Sequence, residues 1–394
     1  GQKHYRRLGQ RGDNPHTSAL ERHAMASFIV LDNDYAGVEE YIWNSYDPLD
    51  LMRTTVAHEF NHAVQYGYDG LEPADWLWEA TATWMQDVVY DHINDSIEEI
   101  YAVAKSPDTC QVAAGGETRV EDENHWYGEW IFLRYISEKH GIEVIRNIWE
   151  QAVQFDGYEA LEAALFEVNA TVENTFRGFS IALLTRSFEE GADYPVVRLE
   201  GEVILGETFT PVDGVGQIAA DYVEIISSDV TRVTLRAVDL EGTLVGVKRG
   251  QAYIFSMEAN QVILNAGQFD HLYLLVTNLN RAQTEQDCQK SSYKVEVYPD
   301  SLIENPEPKA IYPVPNFAPP KVEGLLDPEE YWGQGWDKES SESIEPPAAL
   351  LPGYLPTNYE FVDAFYVEAE EYGEDAVWYI PGGGRAIEID FYGQ

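Results

Sequence analysis

The sequence predicts an α+β protein in which a mostly helical region precedes an antiparallel β-sandwich and a tail rich in proline and acidic residues. Apolar residues recur with helical spacing from about residue 49 to 190, and strict alternation between turn residues follows from about 194 to 300. Proline and glutamate dominate the remainder. We therefore expect four parts: a polar, basic arm over 1–22, a helical domain over 23–192, a sandwich over 193–300 and a tail over 301–394.

The helical domain opens with an apolar strand over 26–32, after which the periodicity predicts six helices. Their expected bounds are 49–67, 75–92, 124–139, 142–154, 158–168 and 172–188. Gly67, Gly70 and Pro73 separate the first two helices. The stretch 106–124 is predicted to be a long loop, and long loops in compact domains are frequently functional.

Seven short stretches of alternating polar and apolar residues predict the sandwich. The tail that follows resembles an extended linker, apart from two terminal stretches with strand alternation, DAFYVEAEE and RAIEIDFYG. These two stretches either pair as a hairpin or add strands to the sandwich.

Acidic residues dominate the charge of the chain. It carries 69 Asp and Glu against 25 Lys and Arg, a formal net charge of -44. Nucleic acids and anionic membranes are themselves negative, so repulsion excludes them as partners. No stretch approaches the roughly 18 apolar residues of a membrane-spanning helix, so we expect no membrane insertion. An acidic surface is typical of high solubility, a salt-rich habitat or cation binding, and it favours an extracellular or cell-surface location.

Only two cysteines are present, Cys110 and Cys288. They either form one long-range disulfide in an oxidising compartment or remain two unrelated thiols. The sequence leaves both alternatives open.

A five-residue motif, His58-Glu59-Phe60-Asn61-His62, lies in the first predicted helix. Histidines at positions i and i+4 share one face of a helix, so both imidazoles can bind one metal ion. Zinc takes nitrogen ligands at about 2 Å, and a catalytic zinc keeps one position open for water. Glu59 lies beside that face, where it can act as general base on the zinc-bound water.

The motif alone is also consistent with a surface helix that carries two solvated histidines. The mostly apolar flanks TTVA and AVQY argue against this, because they predict a buried helix whose polar side chains need partners. Glu79 lies in the first turns of the next helix, and antiparallel packing would aim its carboxylate at the same metal. His58, His62 and Glu79 then form the His₂Glu set of catalytic zinc. Glu72, in the loop beside Pro73, is the weaker candidate for third ligand.

The stretch resembles the gluzincin metallopeptidases, which combine H-E-x-x-H with a glutamate on the next helix. WLWEATATW is similar to the W-L-N-E-G-x-A of their aminopeptidase-like branch, with Trp78 in place of Asn and Ala80 in place of Gly. Those two positions do not hold the metal, so the departure puts in doubt only the recognition of a free amino terminus. LDNDYAG, HEFNHAVQYGYD and ATWMQDVVYD more closely resemble a family assigned as secreted bacterial metalloproteases with poorly defined substrates. The resemblance covers residues 26 to 190.

Gluzincins also use a downstream Tyr or His to stabilise the oxyanion that develops during peptide hydrolysis. The stretch ENHWYGEWIFLRYI, which follows the long loop, supplies two candidates, Tyr127 and His125. Related zinc peptidases often carry Tyr-Gly near this place, which favours Tyr127. His125 could instead support the site indirectly or simply begin the helix.

These observations predict zinc-dependent peptide-bond hydrolysis by a secreted or surface metallopeptidase, acting on a protein or peptide substrate, with Glu59 as general base. Ca²⁺ is a second cation to consider, because the clusters Asp32-Asn33-Asp34 and Glu121-Asp122-Glu123 offer hard oxygen ligands.

The alternative function is a structural or surface-assembly protein built on a metallopeptidase fold, with weak or no catalysis. The large share of the chain outside the catalytic domain favours it, as do the aromatic-rich terminal strands, because exposed strands can add to a neighbour's sheet edge and support self-assembly. An intact base favours the enzyme, since a purely structural role gives no reason for Glu59.

Overall fold

The computed structural model describes residues 6–7, 17, 19–32, 47–114, 124–301, 305–322, 359–368 and 385–393. The predicted α+β class is confirmed, with helices in the first half and sheets rich in antiparallel strands in the second. Within these residues, no helix is both long enough and apolar enough to cross a membrane. The α-helices are α1 Pro48–Asp69, α2 Asp75–Tyr90, α3 Ile100–Lys105, α4 Asn124–Gly128, α5 Trp130–His140, α6 Glu143–Ala152, α7 Tyr158–Glu167 and α8 Val172–Thr185. The strands are β1 Arg6–Arg7, β2 Met25–Ala26, β3 Phe28–Asp32, β4 Gly201–Ile204, β5 Thr208–Phe209, β6 Ala219–Ile226, β7 Val230–Ala237, β8 Glu241–Lys248, β9 Gln251–Ser256, β10 Gln261–Asn265, β11 His271–Asn278, β12 Tyr293–Pro299, β13 Ala310–Pro313, β14 Tyr359–Glu368 and β15 Arg385–Gly393.

The helices α1 and α2 pack against each other in antiparallel orientation. Side-chain contacts run in opposite directions along the two helices, since His58 meets Gln86 whereas Gln65 meets Trp78. The start of α1 is well defined, because the Asp47 carboxylate accepts a hydrogen bond from a backbone N–H of the first turn and a proline occupies the first helical position. This pair forms the frame for the first candidate site.

Two sheets pack face to face in the second half of the chain. One has the strand order β10-β7-β12-β5, and the other has the order β13-β9-β8-β11-β6-β4. Strands β4 and β6 are parallel, whereas the remaining neighbours in these two sheets are antiparallel. The sequence analysis did not predict β5, β10 and β13. Each of these strands has too few residues for an alternating pattern to be recognised.

The six-stranded sheet is buried on both faces. In β11, Tyr273 and Leu275 belong to the core shared with the helices, whereas Leu272, Leu274 and Val276 belong to the core between the two sheets. Successive side chains of a strand point to opposite faces, so a run of consecutive apolar residues indicates two covered faces. The helices and the two sheets therefore form three layers, with one core on each side of the six-stranded sheet.

The tail differs from the prediction in two places. Strand β13 pairs with β9 and so extends the six-stranded sheet beyond the expected end of the sandwich at residue 300. The two terminal stretches form the hairpin β14–β15, but β15 pairs with β3 of the helical region rather than with the sandwich. Alternation in a sequence identifies a strand without identifying its neighbour, which is why the partner was not predicted.

A disulfide bond joins Cys110 to Cys288, which settles the alternative that the sequence leaves open. The bond connects the loop after α3 to the segment before β12. Nearby, Asp108 of the same loop accepts a hydrogen bond from Lys290 Nζ at 2.7 Å and another from Arg198 Nη2 at 3.1 Å. These contacts attach residues 106–114 of the long loop to the sheet region.

We expect loss of the disulfide to destabilise the protein substantially. The two cysteines are 178 residues apart, and a crosslink that closes so long a loop is worth about 2–5 kcal/mol, since it restricts the unfolded chain. The variant Cys110→Ser/Cys288→Ser should unfold at a clearly lower urea concentration than the oxidised wild type. A reductant should shift the wild type to the same midpoint and leave the variant unchanged. Equal midpoints for oxidised wild type and variant would contradict this expectation.

Candidate metal centre

Three side chains from α1 and α2 converge on one point. His58 Nε2 lies 3.2 Å from Glu79 Oε2, His62 Nε2 lies 3.3 Å from the same oxygen, and the two Nε2 atoms are 3.0 Å apart. Tetrahedral ligands at about 2.0–2.1 Å from a metal are separated by about 3.3 Å. His58, His62 and Glu79 thus form a group that could hold a metal ion.

Two glutamines determine which nitrogen of each imidazole faces this point. Gln86 Oε1 lies 2.7 Å from His58 Nδ1, and Gln65 Oε1 lies 2.6 Å from His62 Nδ1. Gln65 donates its amide to the Trp78 carbonyl at 3.0 Å, which orients its oxygen toward the histidine. An amide oxygen only accepts hydrogen bonds, so both Nδ1 atoms must carry protons and both Nε2 atoms expose lone pairs.

The electrostatics of the group favour a positive charge. The two Nε2 lone pairs and the Glu79 carboxylate are all acceptors, and they repel one another unless a cation or proton lies between them. Burial opposes the charged form of His58, but Glu79, Glu59 and Gln86 together raise the pKa of His58 above its ordinary value. Burial opposes ionisation of Glu79 as well, yet His58 and His62 hold the pKa of Glu79 well below its ordinary value.

Tyr127 of α4 lies directly against the group. Its ring stacks on the His58 imidazole with 5.6 Å between centroids and 14° between planes. Burial, followed by the negative charges of Glu79, Glu99 and Glu59, raises the pKa of Tyr127 well above its ordinary value. The phenol is therefore protonated at neutral pH, and its hydroxyl hydrogen-bonds the Glu79 carboxylate.

Glu59 is half-buried on α1, adjacent in sequence to His58. Its charge acts on both His58 and Tyr127, so its carboxylate lies near the same point. A carboxylate in this position could accept a proton from a molecule bound to the group.

His125 lies in the protein interior, where it contacts Glu129 and Ala114. Its Nε2 is 3.8 Å from Glu129 Oε1, and its backbone N–H donates to the Ala114 carbonyl. Burial lowers the pKa of His125 to about 4, so the imidazole is neutral at pH 7. Of the two oxyanion candidates, the structure brings Tyr127 to the group, and His125 is better explained as an interior residue.

Glu72, the weaker candidate for third ligand, has a different role. Its Oε1 accepts backbone hydrogen bonds from Ala74 at 2.9 Å and from Gly157 at 3.0 Å. These bonds join the turn before α2 to the start of α7. Burial raises the pKa of Glu72 to about 7 despite both hydrogen bonds. Glu72 therefore fixes the entry of α2, while Glu79 supplies the carboxylate.

The sequence analysis did not predict the hydrogen-bond partners of His58 and His62. Gln65 lies three residues after His62, and Gln86 lies seven residues after Glu79, so helical spacing already places each glutamine on the ligand face of its helix. A search for amide side chains at these spacings would have found them. Gln86 also donates to Asp95 at 3.4 Å, an interaction across the chain that no local spacing reveals.

The sequence also predicts calcium binding by Asp32-Asn33-Asp34 and Glu121-Asp122-Glu123. Asn33, Asp34 and the stretch 121–123 lie outside the described residues.

A comparison with family models matches residues 29–161 to a family of unknown function, DUF6055. The match covers less than half of the 394 residues but includes all of the residues of the candidate centre. No curated protein is similar to this chain. Among solved structures, the crystal structure of Salmonella Typhimurium PliG, a periplasmic lysozyme inhibitor of g-type lysozyme, is matched at 14% identity and a TM-score of 0.18, over 25% of this chain and 97% of that one. So low a TM-score supports no inference.

The sequence predicts zinc at this group, and we expect Gln86→Ala and Gln65→Ala each to weaken that predicted binding by about 10–100-fold, because each variant removes the acceptor that fixes the tautomer and orientation of a histidine. The zinc dissociation constant can be measured by competition with a chromophoric chelator. Gln251→Ala, which changes a glutamine on β9, is the matched control and should bind zinc as the wild type does. Unchanged affinity in both site variants would show that the glutamines do not orient the histidines.

Proposed function

We propose that the chain is a zinc-dependent peptidase of gluzincin type, with His58, His62 and Glu79 as the metal ligands. The observation that carries this proposal is the convergence of two imidazole lone pairs and one carboxylate, with a second carboxylate, that of Glu59, on the residue after His58. Two neutral nitrogens and one oxygen suit zinc, because all-oxygen sets are preferred by Ca²⁺ and Mg²⁺.

Zinc in such a site acts as a Lewis acid and lowers the pKa of bound water toward 7. The chain itself supplies the proton transfers. Glu59 accepts the proton of the attacking water at its carboxylate and returns it to the nitrogen of the leaving amine. Gln65 and Gln86 keep both imidazoles in the tautomer that presents Nε2.

Tyr127 supplies the hydrogen-bond donor for the developing oxyanion in this proposal. Its raised pKa keeps the phenol protonated at the pH at which a peptidase works. Stacking on His58 restricts the ring, so the donor is oriented before substrate binds. A preoriented donor in a partly buried site stabilises negative charge more than water does.

The proposed location is extracellular or at the cell surface. Disulfides form and persist in oxidising compartments and are rare in the cytosol. The Cys110–Cys288 bond therefore favours an extracytoplasmic protein, and the strongly acidic composition is compatible with that setting.

The assembly alternative relied on the large share of the chain outside the helical domain, on the extreme charge and on exposed terminal strands. Strand β15 pairs with β14 on one side and with β3 on the other, so both of its edges are used within the chain. Strand β14, the other terminal strand, stands at the edge of the sheet β14-β15-β3, so of the two terminal strands only β14 is left to support self-assembly.

We expect Glu59→Gln to reduce turnover by about 10² or more, because the carboxamide keeps the shape of the side chain and cannot act as a base. Activity is measured on a mixture of denatured proteins, with the new peptide ends read by mass spectrometry, and zinc content is measured in parallel. Glu202→Gln, at an exposed position of β4, is the control. Near wild-type hydrolysis in Glu59→Gln, or no hydrolysis by the zinc-loaded wild type, would refute the proposed reaction.

Tyr127→Phe tests the oxyanion donor separately. Removing one such donor typically lowers kcat by about 10²–10³, and we expect this loss with zinc content retained and KM changed much less. Tyr298→Phe changes a tyrosine of β12 that is 43% exposed and serves as the control. A lower kcat in Tyr127→Phe but not in Tyr298→Phe supports the role of Tyr127. An unchanged kcat in Tyr127→Phe excludes it.

A further inference from the structure

A second group of side chains that could hold a metal ion lies at the opposite end of α2. Asp87 is in the last turn of that helix, Asp91 follows its end, and Glu190 comes from the segment after α8. One carboxylate oxygen from each of the three lies within 4.8 Å of the others. Asp87 is eight residues beyond Glu79, about 12 Å along a helix at 1.5 Å per residue, so this group is separate from the first centre.

Polar atoms without hydrogen-bond partners accumulate at this place. Asp87 is only 2% exposed, and although Arg134 Nη1 lies 2.9 Å from its Oδ2, its Oδ1 has no partner in the described part of the chain. The hydroxyl of Tyr194, a residue that is 2% exposed and lies close enough to Asp87 and Glu190 for their charges to act on it, likewise has no hydrogen-bond partner in the described part of the chain. Buried polar atoms nearly always have partners, so two unpaired oxygens in one neighbourhood indicate a ligand.

The charge of this neighbourhood is strongly negative. The Arg134 guanidinium contacts four carboxylates, those of Asp87, Glu138, Glu189 and Glu190. With Asp91 this makes five carboxyl groups beside one guanidinium. Burial, together with the charges of Glu190 and Asp91, raises the pKa of Asp87 to about 7 even though Arg134 opposes the shift.

We propose that Asp87, Asp91 and Glu190 bind a calcium ion. The set contains oxygen only, which Ca²⁺ prefers and which does not suit zinc. Ca²⁺ takes about 6–8 oxygen ligands in flexible geometry, and water can complete the shell because Asp91 is exposed. The carbonyl end of α2 adds a partial negative charge that favours a cation at the same place.

The position suggests what the ion does. It joins the end of α2, the helix that carries Glu79, to the connection between α8 and the sheets. A ligand that binds only the folded state stabilises it, so calcium should raise the stability of the helix that carries the third zinc ligand without entering the reaction.

The test is a titration of the zinc-loaded full chain with CaCl₂, followed by calorimetry and by the thermal midpoint. We expect one Ca²⁺ per wild-type chain and a rise in midpoint beyond that given by MgCl₂ at equal concentration. The variant Asp91→Asn/Glu190→Gln removes two of the three carboxylate ligands. Its affinity for Ca²⁺ should be lower than that of the wild type by about 10-fold or more. Asp87 is left unchanged because its pairing with Arg134 is buried.

Two controls separate a lost site from a damaged fold. Glu143→Gln/Glu167→Gln removes two exposed glutamates elsewhere in the helical region and should bind calcium as the wild type does. In EDTA the site variant should be at least as stable as the wild type, because it relieves repulsion between carboxylates. His62→Ala should weaken zinc binding and retain the calcium site. Calcium binding that is absent from the wild type, or equal in the wild type and the folded site variant, would overturn the proposal.

Discussion

Three acceptors held face to face in the protein interior impose the strictest constraint on this structure. Two imidazole nitrogens and a carboxylate oxygen at 3.0–3.3 Å from one another repel unless a cation or an added proton lies between them. Gln65 and Gln86 prevent the imidazoles from relieving that repulsion by turning or by moving a proton to Nε2. The antiparallel register of α1 and α2 follows, since any slip would separate a histidine from its glutamine or from Glu79. The same contacts therefore set both the packing of the two helices and the geometry of the candidate centre.

The sheets support the helices that carry the candidate centre without forming part of it. Because the six-stranded sheet is covered on both faces, the helices rest on a layer that is itself fixed by the four-stranded sheet behind it. The disulfide and the ion pairs of Asp108 fasten the loop after α3 to that layer. The same loop contacts α4, the helix of Tyr127, because Trp126 Nε1 donates to the Val112 carbonyl and the His125 N–H donates to the Ala114 carbonyl. The β region need not touch a substrate to matter for the candidate centre.

Negative charge is handled differently inside the protein and on its surface. Most of the 69 acidic side chains can lie in water at little cost, but several are buried in the helical region. Burial raises the pKa of Glu99 and of Glu129 to about 8, so both are largely protonated at neutral pH. Glu79 behaves in the opposite way, because two histidines keep it ionised. Proximity of positive charge, rather than depth alone, decides which carboxyl groups remain anionic.

The sequence by itself determined the local features: most helices and most strands, and the spacing that sets His58, Glu59 and His62 on one helix with Glu79 on the next. It did not predict α3, and it joined α4 and α5 into one helix. Helical and strand periodicities are properties of adjacent residues, so they can be identified without knowing what lies opposite. The tertiary structure decided which elements meet. It selected Tyr127 over His125 at the centre, assigned Glu72 to two backbone N–H groups, and paired β15 with a strand more than 350 residues earlier. It also brought Glu190 to the end of α2. Such contacts depend on burial and geometry across the whole chain, and no local pattern encodes them.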